Sequence, residues 1–331
     1  MDISCAFATS SDTPAHVQLA ETLGYRRAWL YDSPAILSDV WMILSRCAER
    51  TSRIGLGPGV LVPSLRHPMV NAAAIAELAD QAPGRVAVAV GSGFTGRFAL
   101  GMQPMPWRQV AEYVRCLKAL LAGETSEWDG AKIRMLQLPG FGAARPVNIP
   151  ILIGADGPKG LAVAAELGEG VFSAAVPQPD AVKVADWRAL LSFGTVLDEG
   201  EQLTSARVVD AAAPGAVVMY HAAYERGGAT AVDRLPGGRE WRQAIEACPE
   251  TERHLAIHEG HLVKANPRDE PHVGNLIPLA SATALVGTAQ QVSERVAGLS
   301  AAGVTELVYQ PAGSDIGREL RAFAAATGLQ G

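Results

Sequence analysis

Five of the seven histidines, His221, His254, His258, His261 and His272, lie in the C-terminal half of the 331-residue chain. Three follow the spacing His254-x3-His258-x2-His261, which on a helix would put the rings on one face, where imidazole binds metal or lines a pocket. Gly260 interrupts the run, the order is not H-E-x-x-H and no paired acidic cluster adjoins it, so no metal is assigned. His258 and His261 are read instead as catalytic candidates at the substrate end of a pocket, with a structural role as the alternative.

Two glycine-rich loops are suited to anions. Gly154-Ala155-Asp156-Gly157-Pro158-Lys159 follows an apolar run and opens a helical segment, so its backbone N–H groups and the helix dipole favour a phosphate, with Lys159 as counter-charge. Asp156 is an awkward neighbour for that phosphate. Gly91-Ser92-Gly93-Phe94-Thr95-Gly96-Arg97 is the second loop, where Thr95 and Arg97 supply donors. Asp32 closes the apolar run Ala28–Tyr31 and is the carboxylate candidate for catalysis, with a loop-stabilising or capping role as its alternative. Asp198 and Glu199 form an acidic pair of the kind that cleaves glycosides, but a solvated loop explains them better.

The elements that must position these groups alternate. Strands are predicted at Ile3–Ala8, Ala28–Tyr31, Ser52–Val62, Arg85–Val90, Ile149–Ile153, Gly170–Ala174, Leu190–Leu197 and Thr305–Tyr309, about eight in all. Between them, helices are predicted from Thr13, Asp39, Pro68, Trp107, Lys159, Ser205 and Ala289, the Ser205 helix running to Tyr224. Residues 124–147, with three glycines and two prolines, read as a hairpin or loop excursion, and 225–280 as a second insertion. Such alternation implies a parallel sheet with right-handed crossovers, and this many units favour one closed (β/α)8 TIM barrel over the whole chain, 1–331. An open doubly wound sheet is disfavoured because Thr9-Ser10-Ser11-Asp12 carries no G-x-G-x-x-G turn. In a barrel the active site gathers at the carboxyl ends of the strands, which is where both glycine loops and Asp32 fall.

Composition narrows the partners. A net charge of -6 with no dense Lys/Arg cluster argues against nucleic acid, and no apolar run approaches a membrane span. The opening MDISCAFATSSD lacks the features of a secretory signal, so a cytoplasmic location is expected. Four cysteines, Cys5, Cys47, Cys116 and Cys248, are far apart with no CxxC pair and read as free thiols.

Four segments resemble the luciferase-like superfamily, within it the methylenetetrahydromethanopterin reductase branch. They are TSRIGLGPGVLVPSLRHPMVNAAAIAELADQAPGRVAVAVGSGFTGRFALG, YVRCLKALLAGETSEWDG, IPILIGADGPKGLAVAAELGEGVF and ALVGTAQQVSERVAGLSAAGVTELVYQP. The resemblance implies a reduced flavin-type cofactor, the deazaflavin coenzyme F-420 or alternatively FMN, at the carboxyl face of the barrel. Its ring would stack on the exit of the third strand, where a cis peptide is expected at Gly59-Val60. The cofactor-binding set is then Gly59, Val60, Gly93, Thr95, Arg97, Gly154, Ala155, Gly157, Pro158, Lys159 and Ser173.

The resemblance also implies a homodimer acting on a small organic substrate by hydride transfer or, with FMN and oxygen, monooxygenation. One departure bears on mechanism: Ser33 stands where related deazaflavin enzymes often have histidine, and serine cannot replace it as an acid-base group. A barrel that binds a cofactor or metabolite without catalysis is therefore the rival reading, and a metal-dependent hydrolase the third.

Overall fold

The computed structural model describes residues 1–331. Strand and helix alternate from the start as β1 (Asp2–Phe7), α1 (Thr13–Thr22), β2 (Arg27–Leu30), α2 (Val40–Arg50), β3 (Gly55–Leu61), α3 (Pro68–Gln81) and β4 (Val88–Gly91). A short α4 (Thr95–Phe98) and the long α5 (Trp107–Ala122) lead to an antiparallel hairpin of β5 (Ser126–Trp128) and β6 (Ala131–Ile133). The alternation resumes with β7 (Ile151–Gly154), α6 (Pro158–Leu167), β8 (Gly170–Ala174) and β9 (Trp187–Val196). Then come α7 (Ala206–Ala216), α8 (Val218–Val232), α9 (Gly238–Glu246), α10 (Arg253–His258) and α11 (Val273–Ala280). The chain ends with β10 (Leu285–Gly287), α12 (Ala289–Ala301), β11 (Glu306–Gln310) and α13 (Ile316–Thr327).

Eight strands close a parallel ring in the order β1-β2-β3-β4-β7-β8-β9-β11, with β11 returning to β1. Side chains alternate across that ring, as the two-residue period of a strand requires. Ala6, Trp29, Ala89, Leu152, Phe172, Ala189 and Val308 fill its interior, the alanines making room for the indole. Their neighbours Cys5 and Leu30, and likewise Val88, Val90, Ile151, Ile153 and Val171, face outward into two clusters beneath the helices. A polar layer crosses the floor of the barrel, where Trp29 Nε1 donates to the buried Glu306 Oε1 at 2.9 Å and the Arg27 guanidinium lies 5.3 Å from the same ring.

The helices form for local reasons. In α5 the apolar stripe Val110, Val114, Leu117 and Leu121 is buried, and Gly123 ends the helix in the left-handed region at φ 84°. Asp39 caps α2 by accepting from the backbone of Trp41 and Met42, and Thr288 with Gln291 forms a capping box on α12.

Two expectations are corrected. The single helix from Ser205 to Tyr224 is two, α7 with Pro214 in its last turn and α8 from Val218, and α8 is itself kinked at Gly228 before it ends at Val232. Residues 225–280, read as a second insertion, are largely helical. They contribute helices that, with α7, bury a separate core of Val208, Tyr220, Trp241, Ile257 and Leu276. A strand at Leu285–Gly287 was not expected; its three residues pair with Gly194–Val196 of β9, outside the closed ring. The excursion 124–147 does hold the hairpin, and the cysteines are all free. No helix is long and apolar enough to cross a membrane.

Candidate functional site

The carboxyl ends of β3, β4 and β7 are built from glycine because they crowd a single side chain. A Cβ on Gly91 would stand 2.8 Å from Val60 Cγ2, and one on Gly154 would stand 2.7 Å from Val60 Cγ1. The Gly59–Val60 peptide is cis, and the register of β3 against β4 shifts between Gly59 and Leu61. Both residues of the pair face the barrel interior, Gly59 against Trp29 and Val60 against the inner cluster. The result is a bare backbone cradle around Val60.

Asp32 supports this cradle from the side. Its carboxylate takes Arg66 at 2.7 and 2.9 Å and the backbone N–H of Val62 at 3.2 Å, and the other Arg66 nitrogen reaches Asp39 at 2.7 Å. Burial raises the Asp32 carboxyl above its ordinary pKa while Arg66 works against that rise. With its oxygens committed to Arg66 and Val62, Asp32 braces the exit of β3. Ser33 beside it is buried.

The two glycine loops flank the cradle. Gly93 is left-handed at φ 81°, and a Cβ there would meet Val62 Cγ1 at 2.7 Å. Gly96 passes so close to Asp32 that a Cβ would lie 2.9 Å from its carbonyl oxygen. Thr95 Oγ1 lies 3.0 Å from His261 Nε2, and Arg97 Nε donates to Gln103 O within its own loop at 2.5 Å. In the other loop, Gly157 caps α6 with nothing within 4 Å of where its Cβ would be, and Pro158 opens the helix. Lys159 is exposed, while Ala155 is buried and donates its N–H to Phe172 O at 3.0 Å. Asp156 turns away from the helix start and accepts the Ala174 N–H at 2.9 Å. Ser173 departs from expectation: Phe172 points inward, so alternation sends Ser173 outward, where it donates to Ala155 O at 3.1 Å.

The histidines converge, but not as their spacing suggested. Helix α10 ends at His258, so His261 lies beyond it, and His254 goes to a different place, against Gly101. The third member is His221 on α8. His221, His258 and His261 are all buried, and one ring nitrogen from each lies within 4.8 Å of the others. His221 Nδ1 and His261 Nδ1 are 2.7 Å apart, His221 Nε2 faces Asp269 at 3.3 Å and His258 Nε2 faces Glu225 at 3.2 Å. Burial, followed by the neighbouring imidazoles, lowers the pKa of His261, and burial lowers that of His258 against the pull of Glu225.

Three residues invisible to motif reasoning belong here: Arg66, His221 and Arg226. The last lies on α8 with its guanidinium 5.0 Å over the Phe94 ring, beside the Gly91–Arg97 loop. Their common trait is that each acts on a loop distant in sequence.

Beside this cluster a cavity of about 600 Å³ opens between the loop after β2 and the 248–268 segment, lined by Ala35, Ile36, Ala99, Leu255, His258 and Val263. Leu262, left-handed at φ 64°, packs onto the inner barrel cluster. A second recess of about 580 Å³ lies around Met1, Trp187 and Thr305, at the opposite, amino-terminal face.

The family profile described as luciferase-like monooxygenase matches residues 7–306. The chain is 35% identical over 161 residues to a 5,10-methylenetetrahydromethanopterin reductase of Archaeoglobus fulgidus, covering 47% of each chain. It is 34% identical over 178 residues to an F420-dependent glucose-6-phosphate dehydrogenase of Beutenbergia cavernae, covering 48% of this chain and 51% of the other. The chain thus spans about half the length of these curated relatives. In three dimensions it resembles the coenzyme F420-dependent tetrahydromethanopterin reductase of Methanopyrus kandleri, with a TM-score of 0.63 and 19% identity over 98% of both chains. That likeness concerns the fold, whereas the profile spans most of the sequence, and on it the chain belongs to the luciferase-like monooxygenase family.

Proposed function

We propose that this chain is an oxidoreductase using a reduced flavin-type cofactor, F-420 in the first place and FMN as the alternative, on a small organic substrate. The observation that carries the reading is the cradle: Gly59, Gly91 and Gly154 withhold side chains around Val60 at the mouth of a closed parallel barrel. Val60, half-buried and seated by these glycines, presents an apolar surface against which a planar ring can stack, so the residues present fit the group. The identities of about a third to F420-dependent enzymes favour the deazaflavin.

In this reading Gly59 and Val60 face the ring. Gly154, Ala155, Gly157, Pro158 and Lys159 present the start of α6 to the polar tail, where N–H groups without helical partners favour an anion. Gly93 and Thr95 shape the second loop, and the exposed Arg226 adds the cation that Arg97, turned to Gln103, supplies less directly. Ser173 joins only through its bond to Ala155 O.

When bound, the reduced cofactor supplies the hydride. The chain's own part is to orient and to shield. Asp32, through Arg66 and Val62, holds the β3 exit in place. Leu262, packed on the inner cluster, covers part of the barrel interior from solvent. His258 lines the neighbouring cavity and is the imidazole placed to meet a bound substrate, with His261 packed against it and bonded to Thr95. Ser33 itself supplies no acid-base group, which fits a reaction whose central event is hydride transfer.

Titrating the purified chain separately with F-420 and with FMN, following cofactor fluorescence, tests the reading. Saturable quenching by F-420 supports it in full, and by FMN alone shifts it to the alternative. Binding of neither overturns it; binding without turnover of any reduced cofactor favours the non-catalytic barrel. A homodimer and a cytoplasmic location belong to the same reading. Leu136 and Phe141, 76% and 78% exposed on the 124–147 excursion, offer an apolar face for a second copy. Light scattering and cell fractionation test these two points.

A further inference from the structure

We propose that His221, His258 and His261 form a binding site for one divalent transition-metal ion of the zinc class, ligated through their Nδ1 atoms. The argument starts from which nitrogens are already spoken for. Each ring has its Nε2 engaged outward: His221 with Asp269 at 3.3 Å, His258 with Glu225 at 3.2 Å, His261 with Thr95 Oγ1 at 3.0 Å. The three Nδ1 atoms are left for the centre. His221 Nδ1 and His261 Nδ1 stand 2.7 Å apart, and His258 Nδ1 is buried with no hydrogen-bond partner.

A chain of hydrogen bonds from Asp269 through His221 and His261 to Thr95 would satisfy those four residues without an ion. It leaves the His258 Nδ1 orphaned, and a buried polar atom without a partner is unfavourable. An ion at the point of convergence satisfies all three. Nitrogens about 2.0–2.1 Å from a tetrahedral ion stand roughly 3.4 Å from one another. One ring nitrogen from each histidine lies within 4.8 Å of the others, so the rings need shift only slightly to close on an ion.

The surroundings match the charge and the chemistry. Asp269 is further fixed by the Trp241 indole at 2.8 Å, so a carboxylate–histidine–metal relay is already aligned on one side, and Glu225 provides another. Two carboxylates against one divalent ion leave the buried cluster close to neutral. Imidazole donors without thiolate select zinc-class ions over Mg²⁺ or Ca²⁺. The protein offers three nitrogens and no fourth ligand within the cluster, leaving one position for water. The ligands come from α8, from α10 and from the loop after it, so the ion would pin the segment carrying Leu262 onto the barrel mouth.

The full-length chain, freed of metal by a chelator and dialysed, would be titrated with Co²⁺ and then with Zn²⁺. One equivalent of Co²⁺ should produce visible tetrahedral absorption that one equivalent of Zn²⁺ abolishes, and Zn²⁺ should raise Tm. His258→Gln and His261→Asn should each remove the bands, Glu225→Gln should weaken binding about 10- to 100-fold, and His254→Gln should change nothing. Absence of saturable binding by a chain with native circular dichroism overturns the site. So do bands that persist in folded His258→Gln protein. If His261→Asn does not fold, the wild-type titration and His258→Gln still decide. Cofactor binding is measured separately, so failure of the metal site leaves the oxidoreductase reading standing, and the reverse holds too.

Discussion

Val60 Cγ1 occupies the space a Cβ on Gly154 would need, 2.7 Å from where that atom would sit. A single methyl at position 154 therefore forces Val60 off its place at the head of the barrel. Gly154→Ala should cost about 1–3 kcal/mol, the usual penalty for overpacking, and should weaken F-420 binding at least about tenfold because the cradle is narrowed. Urea unfolding and fluorescence titration measure the two effects. Unchanged affinity in a folded variant would sink the placement of the ring beside Val60.

Gly157 makes the opposite case in the same loop. Nothing lies within 4 Å of its Cβ position, and its φ of -163° is open to any residue. Gly157→Leu should leave stability within about 0.5 kcal/mol and yet reduce cofactor affinity, since the side chain would project beside the N–H groups that start α6. An unaltered Kd would remove this loop from the proposed phosphate seat.

Asp32 and Arg66 form an ion pair in which the carboxylate side chain is fully buried and the guanidinium is 14% exposed. Removing one partner strands the other, which costs about 3–5 kcal/mol for a buried pair. Asp32→Ala and Arg66→Ala should each be strongly destabilising, and the double variant should be far less destabilised than their sum. A double-mutant cycle by denaturant unfolding reads this. Additive costs would show that the pair is uncoupled and return Asp32 to candidacy as an acid-base group.

The ring of strands was legible because buried parallel strands are apolar runs, and Arg85–Val90 or Gly170–Ala174 look like little else. β10 was not, since Leu285-Val286-Gly287 is too short to show a period. The cis peptide is expected through family likeness and the glycine loops from their anion-binding chemistry, and Val60 supplies a local reason for Gly91 and Gly154. The outward turn of Ser173 has a signal in the sequence: counting parity along β8 from Phe172 sends it to the helix side. His221 carried no signal, because its approach to His261 depends on how α8 docks, which side-chain spacing on one helix cannot report.

Acid stability should carry the mark of Glu201. The Arg207 hydrogen bond holds its carboxyl down at about 2 from an ordinary 4.5, while Arg207 also bonds Glu319 at 2.8 Å and ties α7 to α13. The folded state thus keeps this carboxylate ionised where the unfolded chain protonates it. Its contribution is fully present above about pH 4.5 and is lost as pH falls through about 2. Because the side chain is partly open to solvent, about 1 kcal/mol is expected. Urea midpoints at pH 5, 4 and 3 should fall less steeply in Glu201→Gln than in the parent, and parallel slopes would contradict the assignment.

Leu262 packs on the inner barrel cluster in a backbone conformation that costs an L-residue about 1–2 kcal/mol. Its φ is 64°, its side chain packs on the inner cluster, and its carbonyl accepts from Gln310 Nε2 at 3.5 Å, with Gln310 itself held by the Tyr31 hydroxyl at 2.9 Å. Leu262→Ala keeps the backbone cost and loses the packing, so it should destabilise by about 1–2 kcal/mol, less than a fully buried leucine would. Leu262→Gly loses the same packing and relieves the backbone, so its stability should lie within about 1 kcal/mol of the parent. Both remove the side chain that packs on the inner cluster and so uncover that end of the barrel. Cofactor association, followed by stopped-flow fluorescence, should therefore be faster in both variants, whatever their stabilities. If the two differ in stability as expected while association stays at the parental rate, Leu262 packs on the barrel without controlling access to it.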